Sequence, residues 1–171
     1  MRAIIRVSDG LDWLLRRLAA GCFVGMLVFV SIQVVARYIL REPPTWTEEL
    51  ARFAMVWGGL LGATVAYKSQ YDPVLIRLSD RNSAFLRWAM RLIRLAAPPI
   101  FLGPVLYFSI FGPNMDMARG FLGRSALRTA DTLGFPMIYI ALAVPIAACA
   151  ILIHWLARFG EEATGDDPSI D

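Results

Sequence analysis

The chain has 171 residues, of which 57% are hydrophobic and only 18% charged, with a net charge of +3 and a mean hydropathy of +0.55. Soluble domains carry closer to a quarter charged residues, so this balance excludes an ordinary soluble domain. The arginines stand beside the apolar runs, where they read as topology signals and not as a nucleic-acid surface.

The apolar residues gather in runs of about 20, the length needed to cross a bilayer. The segment Val7–Arg17 places Val7, Leu11, Leu14 and Leu15 at helical spacing among charged positions, which predicts an amphipathic lead-in lying near the membrane surface. The first uncharged run is 18–36. It is longer than a signal-peptide core and no small-residue cleavage site follows it, so it reads as a retained helix. Gly21 and Gly25 form a small-xxx-small pair suited to close helix approach.

Pro43 and Pro44 stop that helix. Thr45 with Glu48 three residues on has the form of a capping box, so a second helix is expected from Trp46 to Lys68. Gly58, Gly62 and Ala66 share one of its faces, a pattern for tight packing. The segment from Lys68 to Arg94 is the most basic in the chain, and from Asn82 on it predicts a second amphipathic helix whose Arg87, Arg91 and Arg94 reach toward headgroups. The third run, 95–115, contains Pro98, Pro99 and Pro104 and is expected to be bent or locally unwound. Thr132-Leu133-Gly134-Phe135-Pro136 opens the fourth helix, with proline tolerated in its first turn.

The expected fold is therefore an all-α integral membrane protein. Residues 1–160 form one domain of four transmembrane helices, at about 18–38, 46–68, 95–115 and 133–157, with amphipathic interfacial helices; residues 161–171 form an acidic, disordered tail. Lys and Arg number eleven on the side of the termini and six on the other, which predicts both ends in the cytoplasm.

The residue inventory limits the chemistry. A bis-histidine haem needs two histidines, and the chain has one, His154, read as interfacial. Cys22 and Cys149 lie in apolar runs and not at an aqueous face, against a thiol oxidase or a disulfide framework. The apolar runs contain no Asp, Glu, Lys or Arg, so the chain carries no mid-membrane relay. No catalytic, cofactor-binding or metal-binding residue is predicted. The polar interest lies at the ends of the first two helices. Gln33, Arg37 and Arg41 share a face, Glu48 and Arg52 are an i,i+4 pair, and Arg37 is placed to meet Glu48 or Glu49. This cluster reads either as a strut tying two helices or as a docking surface anchored by Trp46.

The stretch Arg37-Tyr38, then Pro43, Trp46, Glu48-Glu49, Arg52, Trp57, Gly62-Ala63 and Ala66, resembles the small membrane subunit (Q subunit) of tripartite ATP-independent periplasmic (TRAP) transporters. Thr132–Pro136 is similar to that family's second marker. A departure is Gln70-Tyr71-Asp72-Pro73-Val74, where the family usually shows a His followed by Asp. The resemblance implies a non-catalytic subunit in a bacterial inner membrane, bracing a large membrane subunit that carries an organic acid and binds the sodium. A periplasmic substrate-binding protein is the third partner. It makes Arg37, Trp46, Glu48, Glu49, Arg52 and Trp57 the candidate partner interface. Gly21, Gly25, Gly58, Gly62 and Ala66 are the candidate packing residues. The rival reading is an independent homo-oligomeric carrier or channel, with Gln33 and the proline-broken third helix lining a path.

Overall fold

A computed structural model describes residues 2–69 and 84–164. The described residues are mostly helical, with six α-helices and no strand beyond an isolated bridge between Thr129 and Pro136. Helix α1 spans Arg2–Val35 and passes into a π-helical turn, Ala36–Leu40. It is followed by α2 (Thr45–Lys68), α3 (Ala84–Ile110), two short 3₁₀ turns, α4 (Phe121–Ala126), α5 (Ile138–Ala141) and α6 (Ala143–Thr164).

Three helices are long and apolar enough to cross a membrane, over Ile4–Leu40, Thr45–Lys68 and Ile138–Arg158. A fourth apolar stretch, Leu95–Ile110, is shorter and forms the second part of α3. Helices α1 and α2 make the most extensive pair; α6 packs on both, and α3 packs on α6.

The packing follows a heptad rhythm. Along α1 the shielded positions are Ser8, Asp12, Leu15, Ala19, Cys22, Met26, Phe29, Gln33 and Ala36, in alternating steps of four and three. Along α2 the same spacing picks out Thr47, Ala51, Ala54, Gly58, Leu61, Val65 and Lys68, with Glu49 and Thr64 buried beside them, and along α6 it picks out Ala143, Ala147, Ala150, His154 and Ala157, with Ala148 buried beside them. A repeat of 3.5 residues keeps one stripe of each helix turned to its neighbours. The stripes are rich in alanine and glycine because, in lipid, association depends on close backbone approach. At the centre Leu15, Ala19, Leu61 and Ala150 are buried, with Leu11, Trp57 and Val65 packed around them. Gly58 sits where the pair is tightest: a Cβ there would stand 3.2 Å from Cys22 Cβ and 3.5 Å from the Phe23 ring. Gly62 is looser against the same ring, and Gly21 has nothing within 4 Å of where its Cβ would be.

Several expectations change. The lead-in is not a helix separate from the first span. It is the first part of α1, because the seam begun at Leu15 and Ala19 runs back unbroken to Ser8. Asp9 pairs with Lys68 at 2.6 Å, and Arg16 reaches both Asp12 and Ser69 at 3.1 Å, so polar contacts hold this end upright against α2. Thr45 is not the N-cap of α2. Pro44 takes that place with an extended backbone (φ −71°, ψ 126°), and Thr47 Oγ1 donates to its carbonyl at 2.7 Å. Helix α3 does not unwind at its prolines: the surrounding backbone hydrogen bonds carry the helix through Pro98, Pro99 and Pro104. It ends at Ile110, earlier than expected, ahead of Gly112-Pro113.

The final helix starts later than expected. Residues 132–137 form a turn, with Gly134 in the left-handed region at φ 68°. The helix begins at Ile138 and is interrupted at Leu142, where Pro145 lacks the N–H that would bond the Ala141 carbonyl. Helix α6 continues to Thr164, into the segment expected to be a tail. The stretch Gln70–Val74 and residues 165–171 lie outside the described residues.

Replacing Gly58 with leucine is expected to destabilise the α1–α2 pair by about 1–3 kcal/mol, whereas Gly21→Leu changes stability little. Detergent-driven unfolding of the two variants tests this; equal stabilities would show that the pair does not close at Gly58.

Candidate functional site

Glu49 occupies the second turn of α2 and is only 4% exposed. Burying an ionisable carboxylate is costly unless every oxygen finds donors. Here Oε1 accepts from the backbone N–H of Asp131 at 3.0 Å. Oε2 accepts from Thr132 and Leu133, both at 3.1 Å. Three successive amides form an anion-binding concavity, or nest. The loop is shaped to present them. Ala130 N–H donates to the Phe135 carbonyl at 2.9 Å, Met137 N–H to Arg128 at 2.8 Å, and Gly134 N–H to Ala130 at 3.1 Å. A left-handed residue is needed to close so tight a turn, and Gly134 supplies it.

One turn along α2, Phe53 adds an apolar grip. Its ring meets Phe135 edge-on, with centroids 5.4 Å apart, and Phe135 in turn meets Tyr139. Glu49 and Phe53 thus hold the polar and apolar halves of one loop, and the loop sets the start of α5.

The other predicted residues are not gathered here. Glu48 and Arg52 are exposed and make no ion pair among the described residues. Arg37 is exposed in the π-helical turn and meets neither Glu48 nor Glu49. The expected Arg37–glutamate cluster is therefore absent from the described residues: the backbone of the 131–133 loop satisfies Glu49 instead. Trp46 is 40% exposed, with its ring edge-on to Phe29 at 6.5 Å. Trp57 packs beside the central core. Ala66 is half-buried, Gly25 has only Phe29 of its own helix nearby, and Gly21 is exposed.

A second polar site lies at the opposite end of the bundle and escaped sequence reasoning. His154 is 3% exposed, and its Nδ1 lies 2.8 Å from Ser8 Oγ. The other ring nitrogen, Nε2, has no protein partner, and neither does Oδ1 of Asp12. The available signal was the heptad stripe, which puts Ser8 and Asp12 on the seam of α1 and His154 on that of α6. Among the described residues no three His, Cys, Asp or Glu side chains gather where a metal ion would fit.

Glu49→Gln leaves one acceptor oxygen for three donors and sets an N–H₂ group among them. A loss of about 2 kcal/mol is expected, with hydrogen exchange in 128–137 accelerating at least about tenfold; unchanged exchange would show that the loop stands without the carboxylate. Ser8→Ala is expected to cost about 1 kcal/mol, and Ser8→Ala with His154→Leu to cost less than the two single changes added. Strict additivity in thermal unfolding would mean the two side chains do not interact.

Comparison with curated proteins gives no match. Comparison with known protein families matches residues 26–165, most of the chain, to the family described as tripartite ATP-independent periplasmic transporters, DctQ component. Glu49 and the loop it holds both fall within the matched region. This all-helical membrane chain belongs to the DctQ family, the small membrane component of tripartite ATP-independent periplasmic transporters.

Proposed function

We propose that the chain is a non-catalytic brace for the large membrane subunit of a sodium-coupled importer of organic acids. In this reading the apolar part of α3 is a fourth span, both termini face the cytoplasm, and the assembly lies in a bacterial inner membrane. The large subunit carries the substrate and binds the sodium, and a periplasmic binding protein delivers the substrate.

The observation that carries this reading is the contrast between the two faces of the bundle. The inward stripes are small and closely packed, while α1 turns a long apolar face outward: Val24 and Leu27 are each 62% exposed and Val28 50%. A helix whose seam is packed by two neighbours, yet whose opposite face over residues 18–35 is apolar apart from Ser31, is suited to lipid and to a second membrane protein. The packing of the described interior favours this reading over a path through the single chain. The central seam is filled by Leu15, Ala19, Leu61 and Ala150, and its polar members lie near the ends. Arg37, Trp46, Glu48 and Arg52 lie exposed at the Glu49 end, where they offer charge and an aromatic anchor to a partner.

Co-expressed with the large subunit, the chain is expected to co-purify with it. Alone in proteoliposomes it is expected to show no sodium-dependent uptake of any organic acid. Flux by the isolated chain would overturn the proposal, as would full transport by the large subunit without it.

A further inference from the structure

Helix α4 and the turn that follows it frame a half-open cavity of about 290 Å³, lined by Phe121, Arg124, Ser125 and Arg128. Arg128 N–H donates to the Ser125 carbonyl at 3.3 Å, so helical winding continues past α4 and sets Arg124 and Arg128 one turn apart. Both are exposed, and neither side chain has an ion pair or hydrogen bond among the described residues. The neighbouring Arg119 differs, being paired with Asp116 at 3.4 Å. Ser125 Oγ is committed to the Phe121 carbonyl at 2.8 Å, so the two guanidinium groups supply the free donors. Two adjacent cations with unused donors match an anion with several acceptor oxygens.

The frame is rigid. A Cβ at Gly120 would collide with the Ile110 carbonyl, and one at Gly123 with the Met117 carbonyl, so α4 lies pressed onto the preceding turns. On its other side Arg128 is tied through its carbonyl to Met137, in the loop that Glu49 holds.

The surroundings choose the kind of anion. Met115 (65% exposed), Met117 (60%) and Leu127 (83%) stand out from the same short segment, beside Phe121. Exposed apolar side chains flanking a basic pair fit the boundary between headgroups and acyl chains. An acidic soluble protein would leave these apolar side chains in water. We propose that this cavity is a lipid site: Arg124 and Arg128 hold the phosphate of an anionic phospholipid, while Met115, Met117 and Leu127 enter the acyl layer.

The test uses the full chain in detergent, with phosphatidylglycerol binding read by native mass spectrometry. Arg124→Gln with Arg128→Gln is expected to weaken phosphatidylglycerol binding about tenfold, while Arg119→Gln stays within about twofold of the unchanged chain. Arg124→Lys with Arg128→Lys, which keeps the charge, is expected to retain most of the binding. Inorganic phosphate at the lipid's concentration is expected not to displace it. The proposal is overturned if the double Gln variant holds the lipid as well as the unchanged chain. It is likewise overturned if free phosphate competes on equal terms.

Discussion

The structure depends on one buried carboxylate meeting three backbone amides. Glu49 is almost fully enclosed, and the amides of residues 131–133 are turned inward by a tight loop. The carboxylate would be costly without the loop, because it would leave a buried charge unpaired, and the loop would lose the acceptor that its three amides share. Together they satisfy one another through charge-assisted hydrogen bonds, each stronger than a neutral one. The contact fixes the first turns of α2, the start of α5 and, through Arg128, the turn after α4. It also explains why the two most distinctive stretches of the chain, around Trp46–Arg52 and Thr132–Pro136, belong together: they are the halves of one joint.

Away from that joint the bundle is held by seams of small side chains. Alanine and glycine contribute little apolar area, so their value lies in the distance they permit, as at Gly58 against Cys22 and Phe23. At the far end the same seams carry polar groups, where Ser8 and His154 meet and Asp9 pairs with Lys68. Each end of the bundle is therefore pinned by polar contacts while the middle is packed by shape. The consequence is a bundle closely packed inwardly and largely apolar outwardly, which is what the proposed supporting role asks of it.

Much of this was legible in residue order. The apolar runs, their separation by prolines and the extent of α2 follow from hydropathy and turn chemistry, which act over a few residues. The continuous α1 was legible too, in the four-three spacing from Ser8 to Ala36, but Arg16 and Arg17 interrupt the hydropathy and obscure it. They lie off the seam, so the helix passes them without a break. The delayed start of the last helix was less legible. Residues 132–137 are apolar enough to be helical, and the capture of the Thr132 and Leu133 amides by Glu49, the loop's bonds to Arg128 and Ala130, and the positive φ of Gly134 hold them in a turn.

The sequence by itself determined that this chain is a helical membrane protein with small-residue packing faces and no charge within its apolar runs. Those properties are sums and periodicities of neighbouring residues. Only the tertiary structure decided between two adjacent glutamates: Glu48 faces outward, while Glu49 binds a loop 82 residues away. It likewise turned the lone histidine, read as interfacial, into a buried partner of Ser8, 146 residues distant. Local pattern cannot choose between identical side chains, because the choice is made by which distant backbone donors fold back to meet them.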